Sequence, residues 1–167
     1  MTEEEIFDVV DDHDEVIDQE KRSVVHKNHL KHRAIHVFVF NAEGKIFLQK
    51  RSLTKDCFPG KWDSSTSGHL DSGESYDACS VRELKEELGL ETNEQLEKRF
   101  KVDACEETGW EFVWLYQCQS EGPFELQASE IEMGDWFTKE EVRDWIRKSP
   151  EDFAPSFILL WDKSQDN

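Results

Sequence analysis

Apolar and polar residues alternate through EEEIFDVVDDHDEVIDQE, on either side of the acidic run Asp11–Asp14, and this period of two predicts a hairpin-like pair of strands. VVHKNHLKH shows no clean period and reads as a connector. AIHVFVFNAEGKIFLQKRS then gives two strands around an Asn-Ala-Glu-Gly turn, with Gly44 suited to positive φ. From Ser52 to Ser67 the chain reads as loop, punctuated by Pro59-Gly60. A helix starts near Ser75 and stops before Gly89. RFKVDAC and WEFVWLYQCQ read as strands, and DWF as a short one. Thr138 and Glu141 form a capping box for the helix KEEVRDWIRK, and Pro155 suits the first turn of a last helix carrying SFILLW. The pattern is α/β with antiparallel hairpins, most simply a mixed sheet between helices, without internal repeats.

Composition bounds this picture. At 167 residues and 37% hydrophobic content, one domain with a real core is expected. No apolar run approaches the ~20 residues of a membrane span, and the acidic N-terminus lacks a signal pattern, so a cytoplasmic protein without membrane contact is expected. Cys57, Cys79, Cys105 and Cys118 are far apart with no C-x-x-C, which predicts reduced, packed thiols. A formal net charge of −18 argues against a nucleic-acid polymer as partner, because phosphate backbones are bound by Lys and Arg. A small anionic substrate stays compatible where a metal and local cations reverse the potential.

The helix after Ser75 changes the reading from fold to chemistry. At 100° per residue Val81, Leu84 and Leu88 share one side, and Glu83, Glu86 and Glu87 cluster opposite. Like charges one turn apart cost a few tenths of a kcal/mol per pair. A hard divalent cation on oxygen ligands offsets that repulsion.

Gly68, Glu74, Arg82, Glu83, Leu84, Glu86, Glu87, Gly89 and Leu90 fill every fixed position of G-x5-E-x7-R-E-U-x-E-E-x-G-U, where U is a bulky aliphatic. The stretch therefore resembles the signature of the Nudix hydrolases. The resemblance implies an α/β/α sandwich and a pyrophosphohydrolase cleaving a diphosphate linkage in a small molecule, such as a nucleoside diphosphate derivative. It implies Mg²⁺ or Mn²⁺ on Glu83, Glu86, Glu87 and the Gly68 carbonyl, and one glutamate as base. Arg82, able to reach Glu74 or Glu86, holds a carboxylate in place. Glu83, Glu86, Glu87 and Arg82 are thus the expected catalytic set.

HRAIHVFVFNAEGKIFLQKRSLTKDCFPGKWDSSTSGH is similar to the N-terminal half of the isopentenyl-diphosphate isomerase-like branch of that family. That similarity implies diphosphate binding by Arg51 and Lys55, and three of the isomerase's five metal ligands in His32, His69 and Glu111. The other two positions fall on Val25 and Gly109, and the isomerase's cysteine on Ser67, a poor proton donor beside a thiol. Hydrolysis is expected; isomerisation and a catalytically silent binding module are the alternatives. Other residues have ordinary readings as well. His26, His29, His32 and His36 recur every three or four residues, but such histidines commonly pack. Lys50 and Lys61 extend the basic rim. Trp62, Trp110 and Trp114 could stack on a base, though strand aromatics usually fill cores. Glu130 and Glu132 lie where an additional ligand or base could come from. Residues 1–30 are expected to form a hairpin-like extension packed on a domain spanning 31–167, as a monomer or homodimer.

Overall fold

The computed structural model describes residues 4–92 and 96–165. The N-terminal alternation forms a hairpin, β1 (Ile6–Val10) against β2 (Val16–Lys21). Glu3, where the predicted pair begins, lies outside the described residues. The connector is in fact a short helix, α1 (Arg22–Lys27). Tertiary packing rather than periodicity orders it: Val25 is buried against Phe7 and Val9 in a small core under the hairpin.

The main sheet contains β3 (His32–Phe40), β4 (Ile46–Arg51), β5 (Trp62–Asp63), β6 (Thr66–His69), β7 (Glu97–Val102), β8 (Glu111–Gln119) and β9 (Ile131–Phe137). Its order is β5-β4-β3-β8-β7, with β6 also on β3 and β9 also on β4. β3 and β8 run parallel and the other pairs antiparallel, so the sheet is mixed. β5 and the first two residues of β6 fall inside the stretch read as loop, because strands of two and four residues are too short to show a period. The strand read in RFKVDAC stops at Val102, and Cys105 instead accepts the Trp110 N–H across a tight loop.

Three helices cover the sheet: α2 (Tyr76–Leu88), α3 (Lys139–Lys148) and α4 (Pro155–Gln165). Alternation along β3 assigns the faces. Ala34 and Phe38, with Ile46, Leu48, Val113 and Leu115, pack on Val142, Phe157, Leu160 and Trp161 of α3 and α4. Ile35, Val37 and Val39 point the other way, onto Leu84 and Leu88 of α2. The architecture is the expected α/β/α sandwich. Both cap expectations hold: Ser75 Oγ accepts from the Ala78 N–H at 3.1 Å, and Gly89 ends α2 at φ 65°. Thr138 and Glu141 cap α3 reciprocally.

One expectation on α2 fails in an informative way. Val81 is 50% exposed, while Glu87 is buried. The inward arc of α2 is rotated toward the carboxylates and runs through Cys79, Ser80, Leu84, Glu87 and Leu88. The core face and the carboxylate face therefore adjoin rather than oppose each other.

The hairpin is tied down by charge. Buried Asp14 accepts from Arg33 Nε at 2.7 Å and Tyr76 Oη at 2.7 Å, and pairs with Lys101. Asp8 accepts from Ser72 Oγ at 2.7 Å and the Gly73 N–H at 3.0 Å, fixing the loop that leads into α2.

Candidate active site

Strand register assembles one half of the site. β3 pairs in parallel with β8, which sets His32 beside Glu111, and antiparallel with β6, which sets Ala34 beside His69. Glu111 Oε2 lies 2.7 Å from His69 Nε2 and 3.3 Å from His32 Nε2. The second contact lacks hydrogen-bond geometry, so the buried His32 Nε2 has no hydrogen-bond partner, while its Nδ1 lies 2.8 Å from the Leu30 carbonyl. Burial would raise the Glu111 carboxyl, but the two imidazoles outweigh it and hold that group well below the usual range.

α1 delivers a third ring. His26 sits 5.4 Å from His32 and 5.3 Å from His69, centroid to centroid, and one ligand atom from each lies within 4.8 Å of the others. Burial, and the neighbouring His69 and His32, push His26 down to about 4, so it is a neutral imidazole at physiological pH. Val25, the position matched by resemblance, points into the hairpin core, and it is the next residue along α1, His26, that faces His32 and His69. Gly109 lines the cavity at φ 67° and contributes no side chain. Phe7 of the hairpin stacks on His69 at 4.8 Å and on His32 at 5.7 Å, forming the back of the cluster. Phe7 and His26 are the residues the sequence reading missed here. The His26–His32 spacing was a visible signal; nothing local pointed to Phe7.

The other half is the carboxylate arc of α2 over β6. Glu87 Oε1 accepts from Thr66 Oγ1, from the Ser67 N–H at 3.2 Å and from Gln49 Nε2 at 3.2 Å. Burial nevertheless pushes the group up to about 7. Burial and the adjacent Glu87 push Glu83 up to about 8, against the pull of Arg82. Arg82 organises the arc: Nε and Nη2 fork onto Glu74 at 2.8 Å each, and Nη1 donates to Glu83 at 2.7 Å and Glu86 at 3.2 Å. With all its donors engaged by protein oxygens, Arg82 positions carboxylates rather than facing substrate. Gly68 allows the close approach of Glu83: a Cβ there would lie 2.3 Å from Glu83 Cδ and 2.5 Å from Oε1.

These residues suit a divalent cation. The cluster gathers carboxylates whose charged forms are disfavoured by burial and by each other, which a cation relieves. The buried His32 Nε2 has no hydrogen-bond partner, and one ring nitrogen from each of His26, His32 and His69 lies within 4.8 Å of the others, a grouping that could hold a metal ion.

Both halves open on one cavity of about 630 Å³, which is also lined by Arg51, Lys55, Ser67 and Glu130. Arg51 donates to Asp63 Oδ2 at 3.0 Å and the Cys57 carbonyl at 2.9 Å, and Lys55 pairs with Glu130. Glu132 instead pairs with Lys50 at 3.6 Å. His36 packs inside, its Nδ1 2.7 Å from Ser64 Oγ. Trp62 and Trp114 belong to the hydrophobic clusters, and only Trp110 of the three lines the cavity. All four cysteines are unpaired. Among the described residues no helix is long and apolar enough to cross a membrane.

Comparison with known proteins shows the family and the fold. The NUDIX domain model matches residues 30–157. An uncharacterized Nudix hydrolase of Yersinia pestis is 37% identical over 143 residues, covering 83% of this chain and 75% of that protein. The uncharacterized Nudix hydrolase YfcD of Escherichia coli K12 is 34% identical over 167 residues, covering 95% of this chain and 87% of that protein. Among solved structures, DR0079 of Deinococcus radiodurans superposes with a TM-score of 0.75 at 27% identity, covering 90% of this chain and 92% of that one. The Nudix domain of Shewanella oneidensis NrtR, complexed with ADP ribose, shares the fold at TM-score 0.63 and 17% identity, covering 88% and 98%. The chain belongs to the Nudix family and is a Nudix pyrophosphohydrolase.

Proposed function

We propose that the protein hydrolyses a diphosphate linkage in a small nucleoside diphosphate derivative, with Mg²⁺ or Mn²⁺ held by Glu83, Glu86, Glu87 and the Gly68 carbonyl. The observation that carries this reading is the carboxylate arc of α2, pressed against Gly68 and open to a cavity with Arg51 and Lys55 on its wall. When bound, the cation neutralises phosphate oxygens and lowers the pKa of coordinated water. The chain does the rest. Thr66, Ser67 and Gln49 immobilise Glu87 through one oxygen, leaving Oε2 without such donors. Arg82 holds Glu83 and Glu86 in register, and Arg51 and Lys55 supply the positive charge a diphosphate requires in so acidic a protein. A glutamate of the arc takes the proton of the attacking water. ADP ribose, the ligand of the NrtR domain, is of this substrate class.

The histidine cluster supports a second cation position on His26, His32, His69 and Glu111, in keeping with the isomerase-like resemblance. Residues through 30 then serve the site as well as the fold, since they contribute Phe7 and His26. Ser67, on the cavity wall where the isomerase has its cysteine, favours hydrolysis over isomerisation.

The test is a panel of nucleoside di- and triphosphates, sugar nucleotides and dinucleotides with Mg²⁺ or Mn²⁺, following released phosphate after phosphatase coupling. Wild type should turn over at least one member. Glu87→Gln should lose at least about a hundredfold in kcat, as expected for losing a charge-stabilising group, with an unchanged circular dichroism spectrum. No activity on any member, or wild-type turnover by Glu87→Gln, refutes the assignment. Deuterium entering isopentenyl diphosphate in heavy water would establish the isomerase instead.

A further inference from the structure

Immediately outside the histidine cluster, the loop after β4 brings Asp56 and Cys57 up to α1. One ligand atom each from His26, Asp56 and Cys57 lie within 4.8 Å of one another. Neither the signature nor the isomerase-like resemblance assigns the loop pair any role.

We propose that Cys57, Asp56 and His26 form an outer metal position, separate from the carboxylate arc and suited to a thiophilic cation such as Zn²⁺, which shares His26 with the histidine cluster.

The donor set argues for the metal. A thiolate, an imidazole and a carboxylate together select borderline-soft ions over Mg²⁺, which prefers oxygen donors and keeps its waters. Tetrahedral bonds of about 2.0–2.3 Å place ligand atoms roughly 3.3–3.8 Å apart, so contraction by about 1 Å completes the site. The surroundings permit that movement. Asp56 is exposed, which gives an entry path, while His26 and Cys57 are half-buried on the cavity wall. The Cys57 carbonyl is fixed by Arg51 Nε at 2.9 Å, so the loop is anchored by its backbone while the thiol stays free to turn.

Arg22 now occupies the Asp56 carboxylate, at 3.1 Å and 3.3 Å from its two oxygens. The same guanidinium lies 3.6 Å from Glu5, so it keeps a partner when a cation takes over Asp56. On coordination the Cys57 thiol releases its proton to solvent and a dipositive ion replaces it. Sharing one ring links the two positions. An ion on Cys57 draws His26 outward, and the histidine cluster is left with His32, His69 and Glu111.

Cobalt titration of the full chain tests this directly. One equivalent of Co²⁺ should produce a near-ultraviolet thiolate-to-cobalt charge-transfer band. Cys57→Ser should abolish the band, Asp56→Asn should weaken Co²⁺ binding at least tenfold, and Cys105→Ser should leave it intact. Glu111→Gln should also keep it, which separates the outer position from the histidine cluster. A wild-type measurement guards against misfolded variants: Zn²⁺, but not Mg²⁺, should slow alkylation of Cys57 by iodoacetamide at least tenfold, read by peptide mass spectrometry. Absence of the band, its survival in Cys57→Ser, its loss in Glu111→Gln, or Zn²⁺-independent alkylation overturns the proposal. None of these readouts depends on turnover, so the outer position stands or falls apart from the hydrolase assignment.

Discussion

Gly68→Ala isolates what the α2 arc demands of the strand beneath it. The new Cβ would sit 2.3–2.5 Å from Cδ, Cγ and Oε1 of Glu83, where ordinary contact needs at least 3.4 Å. The backbone at Gly68 lies outside the left-handed region, so alanine meets no conformational penalty there, and the obstruction is the side chain of Glu83. That side chain must retreat by about 1 Å, which breaks its 2.7 Å hydrogen bond from Arg82 and displaces one carboxylate of the proposed cation site. A displacement of that size costs on the order of a hundredfold in rate, or about 2.7 kcal/mol of transition-state stabilisation. Overpacking costs about 1–3 kcal/mol of stability, within what a domain of this size survives. Two measurements check this. Turnover of the best panel substrate should fall about a hundredfold, and Mn²⁺ affinity, followed by the electron paramagnetic resonance of free Mn²⁺, should fall with it. A Gly68→Ala protein that melts lower yet keeps wild-type turnover and Mn²⁺ affinity would falsify the placement of the cation between Glu83 and the Gly68 carbonyl.

Two further predictions concern charge. Glu83 and Glu87 have folded-state pKa values raised to about 8 and about 7, above the unfolded carboxylate value, so the folded protein binds more protons and its stability falls as pH rises from about 4.5 through 8. A bound cation removes that fall; Mn²⁺ should therefore raise the melting temperature more at pH 8 than at pH 5.5, and an equal shift at both pH values would refute the coupling. Lys55→Ala should raise KM with kcat little changed if, as proposed, the ammonium meets phosphate before and during cleavage, and an unchanged KM would return Lys55 to the role of partner for Glu130. Arg51→Ala should do the same and also lower stability by about 3–5 kcal/mol, since it strands the buried carboxylate of Asp63; a melting temperature equal to wild type would show that Asp63 finds another partner.

How much of the site could be read in advance depends on whether its parts lie on one element. Glu83, Glu86, Glu87 and Arg82 share a helix, so spacing alone placed them together, and Ser75 and Gly89 marked its ends with side-chain and backbone chemistry. The direction the helix faced was not legible in the same way. Periodicity reports which residues share a side, but Val81 and Glu87 compete for the inward position, and the contest is decided by β6, four residues with no readable pattern of their own. Gln49 and Thr66, which hold Glu87, come from β4 and β6 and carry no local signal of that duty.

The histidine cluster marks the limit of reading by resemblance. His32, His69 and Glu111 match metal-ligand positions of another branch, and the register of β3 with β8 and β6 explains why they meet. The resemblance places that branch's next ligand position on Val25, the neighbour of His26. Along α1 adjacent residues point about 100° apart, so one step decides whether a side chain enters the hairpin core or the cavity. The hydrophobic side chain goes where Phe7 and Val9 already exclude water, and that requirement turns the next residue toward His32 and His69. The imidazole thus reaches the cluster because a valine before it needs burial. Val25→Asp should accordingly disturb both at once: the α1 packing loosens, and the second-cation affinity falls with no ligand changed. Stability and Zn²⁺ titrations on that variant would separate this account from one in which His26 is placed by its own hydrogen bonds, since under the latter Zn²⁺ affinity would survive.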